Sequence, residues 1–223
     1  MTRAPGPVRI PVLLPCVLLP LALAMLLSAP GCSRLPRIVV LEDPLSAGEH
    51  LDLGVAYERK GELDLAAREY ERALRKDSGL VKARINLGNV RLAQKKYGEA
   101  RREYLHALAA RPGDLDAENN LAWTAILSGE GIDGALQRLE AVLEAGTSRP
   151  PPVLDTLGML RMRTNRPEGA EAAFAEAEAA CEALRSRGGE DGCSDDTLRE
   201  IRDHRRELGD RFHGPARPPS LVK

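Results

Sequence analysis

Aromatic residues make up only 3% of the 223-residue sequence: one tryptophan, four tyrosines and two phenylalanines. Sheet proteins lean on aromatic and β-branched side chains, so this scarcity disfavours strands, while abundant alanine, leucine, glutamate and arginine favour helix. An excess of either charge is missing too. Lysine plus arginine number 32, aspartate plus glutamate 33, and the net charge is −1. There is no basic stripe interleaved with aromatics, which excludes nucleic acid as a partner. Histidine and cysteine are sparse, four of each. His50, His106, His204 and His213 are scattered, and none sits at metal-ligand or nucleophile spacing. We read His50 as a packing residue and His204 as lying on the charged face of a terminal helix. No glycine-rich phosphate loop occurs, and neighbouring acids such as Glu69 and Glu71 read as solvated helix surface. The sequence therefore predicts no catalytic residue, no metal site and no cofactor.

One long apolar run stands apart. Arg3 and Arg9 form an acid-free n-region, and PVLLPCVLLPLALAMLLSA (11–29) is an apolar h-region. Its length would just span a bilayer as a helix, but Pro11, Pro15 and Pro20 work against a stable span. The run ends in SAPGC at Cys32, which resembles the lipobox of bacterial lipoproteins. Gly31 fits that pattern, whereas Ala29 stands where leucine is usual and Pro30 departs from it. The resemblance implies a signal peptide over 1–31, lipidation of Cys32 and a lipid anchor in the membrane. Ser33 resembles the sorting context of outer-membrane lipoproteins. An ordinary cleaved signal and a retained anchor are the alternatives. Export leaves Cys181 and Cys193 as a pair in a compartment that permits disulfides. The other reading of Cys181 is a small core residue, since it continues the stripe Ala170, Phe174, Ala177, Cys181, Leu184.

The rest of the chain repeats itself. Gly54 interrupts the helical stretch LDLGVAYERKG (51–61), where glycine costs about 1 kcal/mol relative to alanine. Gly88, in NLGNVRLAQKKYGEA (86–100), recurs 34 residues later. At the same interval Leu53 recurs as Leu87 and Leu121, Ala66 as Ala100, Tyr70 as Tyr104 and Ala73 as Ala107. A 34-residue period with small and large residues at fixed offsets resembles the tetratricopeptide repeat (TPR) family, whose unit is a helix–turn–helix. The small residue lets the two helices approach closely, and a side chain at Gly54 would push them apart.

The resemblance implies an all-α, right-handed solenoid of about four repeats, over 47–80, 81–114, 115–149 and 151–184. A tether over 32–45 precedes them. A capping helix over 194–212 closes the last apolar face, with Ser194 as N-cap and Leu198, Ile201, Leu208 and Phe212 on one side. The tail 213–223 has the composition of a disordered segment. Repeat three has an extra residue in its turn (SGEGID) and Ala122 at the glycine register. Ser46 with Glu49 reads as a capping box, and Asp114 as a cap. The family's aromatic near the start of each unit is replaced by His50, Arg84, Glu118 and Leu154. Arg91 and Arg161 stand where tyrosine is expected, which predicts looser packing between repeats.

In TPR proteins the first helix of each repeat lines a concave groove. The resemblance assigns to it Leu51, Val55 and Glu58, then Lys82, Ile85, Asn89 and Leu92. Asp116, Asn119, Trp123 and Ile126 follow, and last Asp155, Met159 and Met162. Apolar anchors beside amides suit an extended or helical peptide. Trp123, the only tryptophan, reads either as an anchor for such a partner or as local packing. Leu51 and Val55 stand where a carboxylate clamp needs lysine and asparagine, so that clamp is excluded. The expected function is a non-catalytic adaptor of the bacterial cell envelope, on its periplasmic side, binding a protein or peptide. A pilotin-like role, an accessory to an exporter or peptidase, and self-association as a structural scaffold stay open as alternatives.

Overall fold

The computed structural model describes residues 43–186 and 193–213. The export segment, Cys32 and nearly all of the tether lie outside the described residues, as do the link 187–192 and the tail from 214.

Among the described residues there are nine α-helices and no strand. Eight of them pair into hairpins. These are α1 Ala47–Arg59 with α2 Leu63–Lys76, α3 Val81–Ala93 with α4 Tyr97–Ala110, α5 Leu115–Ser128 with α6 Ile132–Ala145, and α7 Pro151–Arg163 with α8 Pro167–Ser186. A ninth helix, α9 Asp195–His213, follows. None of the helices is long and apolar enough to cross a membrane.

Local chemistry explains where the helices begin and turn. The Ser46 hydroxyl accepts from the Glu49 backbone amide, and the Glu49 carboxylate accepts from the Ser46 amide at 2.7 Å, closing a capping box on α1. Asp114 caps α5 through the Ala117 amide and Ser194 caps α9 through the Thr197 amide, each at 3.1 Å. All four hairpins place a left-handed residue at a common register, Gly61, Lys95, Gly129 and Asn165, and the longer third turn adds a second, Gly131.

The hairpins close around an aromatic ring. A Cβ built on Gly88 would lie 2.5 Å from the Tyr104 ring, and one on Gly54 or Gly158 would overlap Tyr70 or Phe174. The three rings are fully buried. Glycine is therefore kept because the ring occupies the space of a side chain, which outweighs its cost in helix propensity. The third hairpin solves the same problem with a smaller partner. Leu139 takes the register of the ring, and Ala122 fits where glycine stood, both in one buried cluster.

The departures from the family pattern are compensated rather than loose. Where the family has an aromatic near the start of each unit, a polar residue reaches the second helix of its own hairpin. His50 Nδ1 lies 2.7 Å from Glu69, and Arg84 lies 3.5 Å from Glu103. Glu118 reverses the polarity and holds Arg138 with two bonds of 2.6 and 3.0 Å. The fourth hairpin drops the charge and buries Leu154 instead.

Arg91 and Arg161 correct the expectation of looser packing. Arg91 bridges Glu71 of the preceding hairpin at 2.6 Å and Glu99 of its own at 3.1 Å. Arg161 reaches Glu140 of the preceding hairpin at 2.8 Å and the carbonyl of Gly169 at 3.1 Å. The planar guanidinium replaces a tyrosine's packing with directed bonds between repeats.

Each first helix touches the first helix of the next hairpin, α1 to α3, α3 to α5 and α5 to α7. Among the described residues, second helices of successive hairpins do not touch. This unequal spacing bends the row so that first helices line its inner side. The last helix, α9, packs on α7 and α8 as the first helix of a fifth repeat would. Leu198 and Ile201 join Leu154, Ala177, Cys181 and Cys193 in one buried cluster. Cys181 and Cys193 form a disulfide across a separation of 12 residues, with Cα atoms 5.2 Å apart.

Candidate binding groove

The inner side is built by α1, α3, α5 and α7, and its floor is a hydrogen-bond ladder. The Tyr70 hydroxyl donates to Glu58 at 2.6 Å and accepts from the Asn86 amide at 3.4 Å, joining the first two hairpins. One register along, the Tyr104 hydroxyl donates to Asn89 Oδ1 at 2.8 Å, and the Asn120 amide donates to the same oxygen at 2.9 Å. That second link joins hairpins two and three. Burial and the nearby Glu58 carboxylate push both tyrosine hydroxyls well above the usual phenol range. They are fixed as neutral donors.

This ladder changes the role of Asn89. Its carbonyl oxygen is taken twice, so only its amide hydrogens face a ligand. Asn119 has the complementary character. Its Oδ1 is buried and accepts no hydrogen bond, which is a costly arrangement for an amide. Trp123 lies one turn further along α5 and is half-buried. Val55, Ile85 and Leu92 are also half-buried, and Lys82 is exposed.

Five expected groove residues are not on the surface. Leu51, Ile126, Asp155 and Met159 are 8%, 5%, 7% and 5% exposed, and Met162 is fully buried. The capping helix is the reason at the C-terminal end. Leu208 joins the cluster that contains Ile126, Met159 and Met162, and Phe212 packs against it. Leu51 belongs to the core between the first two hairpins. The open groove is accordingly shorter than the spacing predicts, from Val55 to Trp123.

The end of the groove holds a pair that sequence reasoning missed. His204 of α9 does not lie on a solvated charged face. Its Nδ1 donates to both Asp155 oxygens, at 3.0 and 2.9 Å. The ring sits 6.3 Å from Trp123 and 6.2 Å from Phe174, centroid to centroid. Its bond to Asp155 raises the imidazole pKa above the ordinary histidine value despite its burial. Only the pairing of helix faces brings these residues together, and they are 49 positions apart. The ladder, by contrast, left a trace in the recurrence of Tyr70 as Tyr104 and Asn86 as Asn120.

No group of three or more histidine, cysteine or acidic side chains among the described residues could hold a metal ion. The groove can offer hydrogen bonds, apolar contact and the half-buried indole.

Residues 37–81 and 51–115 match the tetratricopeptide repeat family model. No curated protein matches the chain. Among solved structures, YrrB, a TPR protein with an unusual peptide-binding site, is 20% identical at a TM-score of 0.51, over 75% of this chain and 88% of that one. TTC0263, a thermophilic TPR protein of Thermus thermophilus, is 20% identical at 0.52, over 75% and 92%. The MamA protein is 15% identical at 0.52, over 77% and 98%. At these identities the likeness shows the fold. With the 34-residue recurrence and the glycine–ring hairpins, these matches show a tetratricopeptide repeat fold, the family model itself being matched over residues 37–115.

Proposed function

We propose that this protein is a non-catalytic adaptor that holds a segment of a partner protein along α1, α3 and α5. One observation carries the reading. The buried Asn119 oxygen lacks a donor one helical turn from the half-buried Trp123, on the inner side of the solenoid. A peptide supplies both missing elements, an apolar side chain for the indole and, as the Asn119 amide turns outward, a backbone N–H for its oxygen. Val55 and Ile85 extend the apolar contact, and the free amide hydrogens of Asn89 pair with a peptide carbonyl.

The envelope setting belongs to the same proposal. The SAPGC sequence and the apolar run before it support export and a lipid on Cys32. A lipid anchor would confine the adaptor to a membrane surface and raise its effective concentration against partners there.

The test is partner capture from detergent-solubilised native membranes with C-terminally tagged protein. An Ile85→Glu, Trp123→Ala variant, its fold checked by circular dichroism, is the comparison. A partner recovered with the native protein and lost with the variant supports groove binding. A partner retained by both places the contact on another face. Recovery of the tagged protein's own untagged copies alone would favour a self-associating scaffold.

A further inference from the structure

The junction between hairpins two and three lacks the side chain that fills the other junctions. Arg91 occupies that register between hairpins one and two, and Arg161 between hairpins three and four. Between hairpins two and three the residue is Ala125. The acids that hold the arginines have changed with it. Leu105 stands at the register of Glu71 and Glu140, and Gly134 at that of Glu99. Two paired replacements, of the arginine by Ala125 and of its glutamate by Leu105, thus turn a charged bridge into an apolar gap, while Gly134 matches Gly169 at the junction that keeps its arginine.

The gap is a cleft of about 300 Å³. Leu121, Ala125 and Ala135 form its apolar walls, with Leu105 beside them. Leu105 is 38% exposed and is one of two large exposed hydrophobics among the described residues. Over Arg91, at the first junction, the depression has a similar volume, about 340 Å³, but it is shallower and its walls are mostly charged. Ala125 is two residues from Trp123, roughly 200° around α5, so the cleft opens away from the groove.

Charge at the rim narrows the occupant. Arg138 is neutralised by Glu118. Arg101, on the α4 side, has no ion-pair partner among the described residues, and Glu130 lies at the opposite edge in the α5–α6 turn. We infer that this cleft is a second docking site, which receives a large apolar side chain of a partner protein with an acidic residue next to it facing Arg101. The side chain takes the volume that an arginine fills at the neighbouring junctions, and the acid pairs with the free guanidinium. This inference does not rest on groove binding.

The test titrates the full-length protein in detergent micelles with acetyl-Asp-Phe-Gly-amide, followed by amide NMR shifts. The expected shifts gather on Gly98, Leu105, Ala125 and Gly134 and leave the Trp123 indole in place. Replacing phenylalanine by alanine in the peptide should abolish them. Ala125→Tyr, which fills the cleft from within, should weaken binding at least tenfold. Should that variant fail to fold, the exposed Leu105→Glu must produce the same loss. Arg101→Glu should reverse the preference toward acetyl-Lys-Phe-Gly-amide. Absence of shifts at millimolar peptide, shifts centred on Trp123, or binding unchanged by Leu105→Glu would each overturn the assignment.

Discussion

His204 of the capping helix donates from Nδ1 to both carboxylate oxygens of Asp155, which is buried in α7. The contact ties the cap to the fourth hairpin, and it is stronger when the imidazole is charged. The facing groups are Asp155 on α7 and Glu200 and Glu207 on α9, all of which favour the cation. The folded pKa therefore lies above the unfolded value, so the stabilisation is complete below about pH 6.5 and is lost as pH rises through the folded pKa. Thermal unfolding followed from pH 5.5 to 8.5 should show the melting temperature falling with pH over that upper range. His204→Gln should flatten this fall. A fall of the same size in the variant would show that other groups cause it.

Gly88→Ala tests the hairpin principle. The added methyl lands inside the Tyr104 ring, and forced overpacking costs about 1–3 kcal/mol. The third hairpin shows how to relieve it, because Ala122 there is matched with Leu139. Gly88→Ala combined with Tyr104→Leu should recover part of the loss, read as coupling in a double-mutant cycle by urea unfolding. Additive losses would mean that the ring can move aside, and the glycine would then need another explanation.

Much of this architecture is legible in the sequence because a repeat copies its own packing rules. Gly54, Gly88 and Gly158 with their rings are local pairs 16 residues apart, so a 34-residue register exposes them. The groove is less legible. Whether a first-helix position faces a ligand or the core depends on what covers it. Met159 and Ile126 have groove spacing, but the cap buries them. The His204–Asp155 pair also escapes, because no period relates a capping helix to the repeats. Arg91 and Arg161 read as defects until their acceptors, 20 and 21 positions upstream on the preceding hairpin, are seen as partners.

Lys95 offers a stabilising change. It adopts φ 60 at the register where Gly61 and Gly129 stand. A residue with a Cβ is strained in the left-handed region, and the exposed Lys95 side chain makes no hydrogen bond or ion pair among the described residues. Lys95→Gly should raise stability by about 0.5–1 kcal/mol, with relief of strain outweighing the added freedom of the unfolded chain. Asn165, at the same register of the fourth hairpin, should gain less, because asparagine tolerates this conformation better than lysine. A Lys95→Gly variant no more stable than the native protein would show that the turn relaxes at little cost.

The disulfide should matter most for the cap. Cys181 lies near the end of α8 and Cys193 just before α9, and both are buried with Leu198 and Ile201. Closing so short a loop is worth about 3 kcal/mol on the chain-entropy model. Reduction, or Cys181→Ser with Cys193→Ser, should therefore loosen α9 before the repeats unfold. Hydrogen exchange reads this directly. Amides of α9 should lose protection while those of α3 and α4 keep theirs, and Met159 and Met162 should become open to oxidation as Leu208 and Phe212 move away. The His204 pKa should fall back toward its ordinary value in the same sample, since undocking removes Asp155. Uniform loss of protection across all the hairpins would instead mean that the cap and the repeats unfold as one cooperative unit.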